Sequence, residues 1–192
     1  SEMGGTIFTV AKDVKLQVDF NPANVSYYRL LGYENRIMAK EDFADDTKDA
    51  GDMGANHTVT ALYEIVLRDG GETEVESRYI KRKVKQEAIE SDELMTIKMR
   101  YRPPEGGKST LIQQPVTMDG TASFDEMGAD FRFATAVAEF SLLLRSSKYR
   151  GQSNATHVLQ TAINSLSHDV KDRRFEFCTL VKKYISICKK TF

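Results

Sequence analysis

The feature that most constrains the fold is a change in the spacing of apolar residues near Asp119 and Gly120. Before this point, apolar and polar residues alternate in several short runs, which is the spacing of half-buried β-strands. After it, apolar residues recur every three or four positions, which is the spacing of amphipathic helices. A chain that changes period once is typical of an α+β fold rather than of repeated strand–helix–strand units.

The first region, residues 1–123, is predicted to form an antiparallel, β-sandwich-like sheet. The strands are predicted at residues 14–20, 25–33, 58–67, 75–84, 95–101 and 109–118, the last interrupted near Pro115. The strand at 58–67 is expected to be central, with 75–84 as its hairpin partner after the turn signal Asp69-Gly70-Gly71. The alternation predicts that one set of apolar side chains is mostly buried, namely Val14, Leu16, Val18, Val59, Tyr63, Ile97 and Met99.

The second region, residues 124–192, is predicted to contain about three helices that pack with the sheet region as one domain. Their apolar stripes are Phe133, Val137, Phe140 and Leu144, then Leu159, Ala162, Ile163 and Leu166, then Phe177, Val181, Tyr184 and Cys188. Gly151 is expected to separate the first two helices, and Ser153 or Asn154 to cap the second. Cys178 and Cys188 would lie about 15 Å apart on one helix, too far for a disulfide, so both are expected to be small buried side chains.

The overall charge excludes some classes of function. The formal net charge is −1, so no global basic field attracts nucleic acid, and we expect no nucleic-acid partner. No apolar run approaches the roughly 20 residues that span a bilayer, so any membrane anchor is expected outside this chain. The abrupt start at Ser1, directly before a strand-like run, suits an excised fragment better than a natural gene start.

The acidic segment 41–52 is the one candidate for a metal site. Calcium prefers several oxygen ligands, and the segment offers Asp45, Asp46, Asp49 and Asp52 among its carboxylates. However, the spacing does not match the loop of an EF-hand, so a turn-rich acidic connection without a bound ion is the preferred interpretation. A metal-assisted site on this segment stays open as an alternative function.

Other candidate motifs are incomplete. His57 lies near the acidic segment but has no Ser or Cys in a nucleophile context nearby, and His157 and His168 show no zinc-ligand spacing. Gly107-Lys108-Ser109 matches the end of a phosphate-binding loop, but Arg102 stands where the first glycine is needed. We therefore predict no catalytic residue, no cofactor and no enzymatic activity.

The last predicted helix is basic, with seven Lys or Arg side chains against two acidic ones between residues 170 and 192. A basic amphipathic helix can lie on an anionic membrane surface, which is a second alternative function. We instead expect its apolar stripe to be buried and its lysines to be solvated.

Three stretches resemble one bacterial family. They are residues 5–22, which include DVKLQVDFNP, residues 28–36, YRLLGYENR, and residues 42–64, which begin DFADDTKDAGD. The chain resembles, most clearly over its first third, the C-terminal region of YfbK-like proteins that contain a von Willebrand factor type A domain. The resemblance implies a cell-envelope protein, often lipid-anchored at its own N terminus, in which this region directly follows the type A domain. The metal-site pattern of type A domains, Asp-x-Ser-x-Ser, does not occur in this sequence.

Together these observations favour a non-catalytic accessory domain of a cell-envelope protein that binds or scaffolds other proteins. The expected partners are proteins, including the upstream type A domain of the same polypeptide. Membrane attachment is expected only through an anchor outside this chain.

Overall fold

A computed structural model describes residues 8–32, 37–68, 74–75, 82–120, 122–167 and 172–190. The chain divides into two compact units, Ser1–Thr121 and Ala122–Phe192. The first contains all the described strands and the second contains the three long helices. The α+β prediction, antiparallel sheet followed by helices, is therefore confirmed, whereas the packing of residues 1–123 and 124–192 as one domain stays a prediction.

The largest sheet of the first unit has four antiparallel strands in the order β3-β1-β7-β8. Their bounds are β1 Thr9–Phe20, β3 Gly51–Gly54, β7 Glu93–Arg102 and β8 Thr110–Thr117. In the central β1–β7 pair, Leu16 lies opposite Met99 and Val18 opposite Ile97. β8 continues through Pro115, contrary to the predicted interruption, because it is an edge strand and needs no outward N–H there.

Two smaller antiparallel pairs complete the described strands. They are β2 (Val25–Leu31) with β4 (Leu62–Leu67), and β5 (Glu74–Val75) with β6 (Arg82–Lys83). The prediction that residues 58–67 form one central strand was wrong, since β4 begins at Leu62 and pairs with β2. Of its predicted hairpin partner 75–84, residues 76–81 lie outside the described residues, and Val75 pairs with Arg82. The predicted turn at 69–71 lies outside the described residues, and the short helix α1, Gln86–Glu90, was not predicted.

The central sheet has one apolar and one polar face. Leu16, Val18 and Phe20 share a face with Met95, Ile97 and Met99 through their cross-strand register. The burial prediction was wrong for two of its residues, because Leu16 is 51% exposed and Val59 is 59% exposed. Val59 lies before β4 instead of inside a central strand, and both side chains border an open cleft. Val14, Val18, Tyr63, Ile97 and Met99 are half-buried.

The second unit is built from three helices, α2 (Ala129–Leu144), α3 (Ala155–Ile163) and α4 (Arg173–Lys190). Gly151 has a positive φ of 54° between α2 and α3. The side chain of Asn154 accepts a hydrogen bond from the backbone N–H of His157 at 2.9 Å, which confirms the predicted N-cap. His168 and most of the predicted separation at 167–169 lie outside the described residues.

The helices share one core cluster, whose buried members are Ala136, Phe140, Leu143, Val158, Ala162, Cys178 and Val181. The predicted stripe of α2 is rotated, because Val137 and Leu144 are exposed while Ala136 and Leu143 are buried. Small Ala136 allows close approach of the neighbouring helix, a consequence of packing that periodicity alone does not reveal. Cys178 is buried as expected, but Cys188 is exposed, so that part of the cysteine prediction was wrong.

Candidate interaction site

A cleft of about 730 Å³ opens in the first unit. One side is formed by consecutive residues of β1, from Val14 to Phe20, and another by the β2–β4 pair. The third side is formed by residues 37–40, 43 and 49–51, which connect β2 to β3. Its size lies in the range of protein clefts that hold ligands or peptide segments.

An aromatic cluster forms the apolar wall of the cleft. The ring of Phe20 stacks on Tyr28 with centroids 4.0 Å apart and meets the edge of Tyr63 at 5.4 Å. The β2–β4 register places Leu30 opposite Tyr63 and so extends this wall. Burial, together with the neighbouring Tyr28, raises the pKa of Tyr63, which keeps its hydroxyl protonated near neutral pH. The cluster is therefore the apolar surface of the cleft.

The opposite wall is polar and centres on Asp19. Its carboxylate accepts hydrogen bonds from Lys98 and, at 2.8 Å, from Gln17, and lies 3.9 Å from the ammonium of Lys40. Partial burial alone would raise the pKa of Asp19, but the bonds from Lys98 and Gln17 outweigh it and lower the pKa. Asp19 is therefore ionised at neutral pH and its charge is compensated locally.

Large apolar side chains are exposed at the rim of the cleft. Leu16, Ile37 and Val59 all line it and are all more than half exposed. Single exposed apolar residues are ordinary, but several around one concave site are characteristic of a binding surface. The cleft is thus amphipathic, with its apolar wall continued outward by the rim.

The acidic segment lies against the polar face of the central sheet. Lys15 is only 4% exposed, and its ammonium donates to the carbonyl oxygens of Asp42 at 3.1 Å and Asp45 at 2.5 Å. Phe43 is buried nearby, with the guanidinium of Arg100 located 5.7 Å from its ring centre. A buried ammonium requires oxygen partners. The two bonds from Lys15 therefore hold the acidic segment against the sheet.

The four carboxylates considered as metal ligands do not share a partner: three accept hydrogen bonds from different residues, and the fourth lines the cleft. Asp45 accepts bonds from the N–H and hydroxyl of Thr47, and these bonds lower its pKa. The carboxylate of Asp46 lies 3.5 Å from the N–H of Ser109, and bonds from Ser109 lower its pKa. Asp52 accepts from the N–H of Asp13, on β1.

The fourth of these residues, Asp49, lines the cleft. Within the part of the chain that the structure describes, no three His, Cys, Asp or Glu side chains are grouped so as to hold a metal ion. The segment instead makes turns and ties itself to β1 and to the end of β7. Hydrogen bonds to Thr47, Ser109 and Asp13 thus engage three of the four carboxylates.

The remaining candidate motifs are dispersed. His57 is exposed in the loop before β4, and the ring of His157 lies 3.2 Å from the carboxylate of Glu139. Gly106 and Gly107 have φ of 89° and 103° in a turn that leads into β8. A phosphate-binding loop should instead lead into a helix, so this turn lacks the helix N-terminus that would hold phosphate.

The terminal helix α4 buries Cys178 and Val181, and Phe177, Tyr184 and Ile185 pack beside them. Leu180 and Ile187, two turns apart, are exposed on another face. None of the helices in the described ranges combines the length and apolar character needed to cross a bilayer.

The sequence comparisons identify the family to which this chain belongs. Residues 5–187 match the family described as "Uncharacterized protein YfbK, C-terminal", and the chain belongs to this family. It is 35% identical over 182 residues to the uncharacterized protein YfbK of Escherichia coli strain K12, which covers 95% of this chain and 31% of that protein. The chain therefore spans about a third of the relative's length. No solved structure matches it.

The family match extends far beyond the first third in which the sequence resemblance is clearest. It includes most of the helical unit, so the match covers parts of both units. Sequence reasoning missed the cleft itself. Tyr28 and Tyr63 are visible as strand aromatics, but their contact with Phe20 depends on the β2–β4 pairing, which no local motif encodes.

Proposed function

We propose that this chain is a non-catalytic interaction domain that binds protein through the cleft of its first unit. The main observation behind this proposal is the amphipathic cleft, with an aromatic wall and exposed Leu16, Ile37 and Val59 at its rim. Buried apolar and aromatic contacts surrounded by polar groups are the usual composition of a protein-binding surface. The described carboxylates and histidines are engaged or dispersed and form no acid–base pair across this cleft.

The proposed partner is a von Willebrand factor type A domain of the same polypeptide, and the proposed location is the cell envelope. This assignment rests on the resemblance to YfbK-like proteins, in which this region directly follows a type A domain. The chain belongs to the YfbK C-terminal family and corresponds to about a third of the related Escherichia coli protein, so that protein contains further sequence beside this region. Contact with a neighbouring domain would cover the apolar rim of this cleft, which is otherwise exposed to water.

Calorimetric titration of the chain with the separately purified type A domain tests this function. We expect saturable binding that Val59→Asp weakens at least tenfold, because a carboxylate at the rim would be desolvated in the complex. Val66→Asp is the matched control, since Val66 is also exposed and lies in β4, the strand that follows Val59, but does not line the cleft. Equal loss with both variants, or no binding by the unmodified chain, would contradict the proposal.

Membrane association through α4 is a second candidate function. The observation that favours it is the exposure of Leu180 and Ile187 on a helix that also carries Lys182 and Lys183. Co-sedimentation with vesicles containing anionic lipid, compared with Leu180→Ser, measures this directly. Sedimentation that is unaffected by Leu180→Ser would contradict a role for this helix.

A further inference from the structure

One edge of β1 pairs with no described strand over half of its length. On one side β1 pairs with β7 from Lys12 to Phe20, and on the other it pairs with β3 only as far as Val14. In the described ranges, no strand pairs with this second edge of residues 15–20. The same residues form one side of the cleft, and consecutive residues of a strand line one cavity when its edge, rather than a face, borders it.

The register identifies which backbone groups point to the open edge. The N–H of Asn21 donates to the carbonyl oxygen of Leu94 at 2.8 Å, so Asn21 directs its groups toward β7. In an antiparallel strand, the N–H and C=O of one residue point to the same edge, and those of the next residue point to the other edge. The N–H and C=O groups of Leu16, Val18 and Phe20 are therefore directed into the cleft. Val14, two residues earlier, uses the same edge to pair with Gly51.

We propose that this edge binds an extended segment of the proposed type A domain partner as an added β-strand in line with β3. This inference rests on the proposed protein-binding function and specifies its mode. A strand is the partner that presents N–H and C=O groups at the matching spacing along six residues, about 20 Å. An open edge of this kind is a template for such pairing.

The two walls of the cleft define the sequence pattern of the bound segment. On one side of the edge lie the aromatic rings of Phe20, Tyr28 and Tyr63, and on the other lie Asp19 and Lys40. Successive side chains of a strand point to opposite faces. The segment should therefore alternate apolar side chains, toward the aromatic wall, with polar side chains toward the charged wall.

Hydrogen exchange of the full chain, measured by NMR, tests the edge first. In the free chain the amides of Leu16, Val18 and Phe20 should exchange at least tenfold faster than those of Gln17 and Asp19, which face β7. Equal protection of the two sets would overturn the proposal, because the edge would then already be paired. Protection of the three outward amides that rises with protein concentration alone would identify a second copy as the occupant and also overturn it.

The probe for binding is a labelled eight-residue peptide in which valine and threonine alternate. We expect saturable binding below millimolar concentration, with new protection confined to the amides of Leu16, Val18 and Phe20. Two peptides N-methylated at alternate positions retain their side chains but lose one set of N–H groups each. One of them should bind at least tenfold more weakly and the other should bind unchanged. Absence of binding, or equal behaviour of both peptides, would overturn the proposal.

A proline substitution provides the matched test on the chain. Val18→Pro removes an outward N–H and should weaken peptide binding at least tenfold in a folded chain, as edge positions tolerate proline. Gln17→Pro removes an N–H directed to β7 and should destabilise the sheet. If Val18→Pro fails to fold, the two N-methylated peptides still decide the question. Type A domain binding that persists while the peptide and proline tests fail would refute strand addition and leave the proposed function standing.

Discussion

Replacing Val181 by alanine should destabilise the helical unit substantially. Val181 is fully buried in the cluster that joins α2, α3 and α4, and it lies near Cys178 and Val158. Removing two buried carbon groups costs about 1.6 kcal/mol in transfer free energy at about 0.8 kcal/mol each. A residual cavity of about 40 Å³ would add about 1 kcal/mol. We therefore expect a loss of about 2.5 kcal/mol in the free energy of unfolding.

The rigid surroundings of Val181 support the inclusion of a cavity cost in this value. Phe140 meets Phe177 and Tyr184 edge-to-face, with ring centroids 5.6 and 5.4 Å apart. Aromatic rings held in such contacts have little freedom to move into a new void, so the cavity should persist.

Urea denaturation followed by helical circular dichroism measures this loss, because the long helices lie in the second unit. The midpoint for Val181→Ala should fall by about 1 to 2 M. Leu180→Ala is the matched control on the same helix; Leu180 is 53% exposed, so its cost should stay below about 1 kcal/mol. Equal effects of the two substitutions, or an unchanged midpoint for Val181→Ala, would refute the assignment of this helix face to the core.

Three further predictions concern the acidic segment. Lys15→Ala should lower the free energy of unfolding of the first unit by about 1 to 3 kcal/mol, since two backbone oxygens lose their buried donor. The control is Lys48→Ala, which removes an exposed ion pair with Asp42 at 3.9 Å and should cost below about 0.5 kcal/mol. Chemical denaturation measures both. The pKa of Asp46 is lower in the folded chain than in the unfolded chain. The ionised carboxylate therefore stabilises the fold at pH values above the unfolded-state pKa, and this stabilisation is lost as the pH falls through the folded-state pKa. Asp46→Asn should accordingly narrow the stability difference between pH 7 and pH 3, and an unchanged difference would contradict a role for its bond with Ser109. Titration with Ca²⁺ or Mg²⁺ should give no saturable heat at micromolar concentrations, and an isotherm abolished by Asp45→Ala would instead establish the metal-assisted alternative.

The sequence by itself determined the fold class and most of the elements. Alternation at residues 14–20 and 95–101 predicted β1 and β7, and the longer period after Gly120 predicted three helices. These patterns are local, because a strand or helix with one buried face must place its apolar residues at that element's own period. The Asn154 cap was readable for the same reason, since its partner N–H lies three residues along the chain.

Only the tertiary structure decided which strands pair and where apolar residues stay exposed. β4 pairs with β2 rather than with a later hairpin strand, and this choice brings Tyr63 to Phe20. The acidic segment lies against the central sheet because the ammonium of Lys15, some thirty residues earlier in the chain, donates to two of its carbonyl oxygens. The open edge at Leu16 depends on where β3 stops pairing. Pairing, burial and charge compensation are all relations between residues distant in sequence, so they are determined by the packing of the whole unit and not by any local pattern.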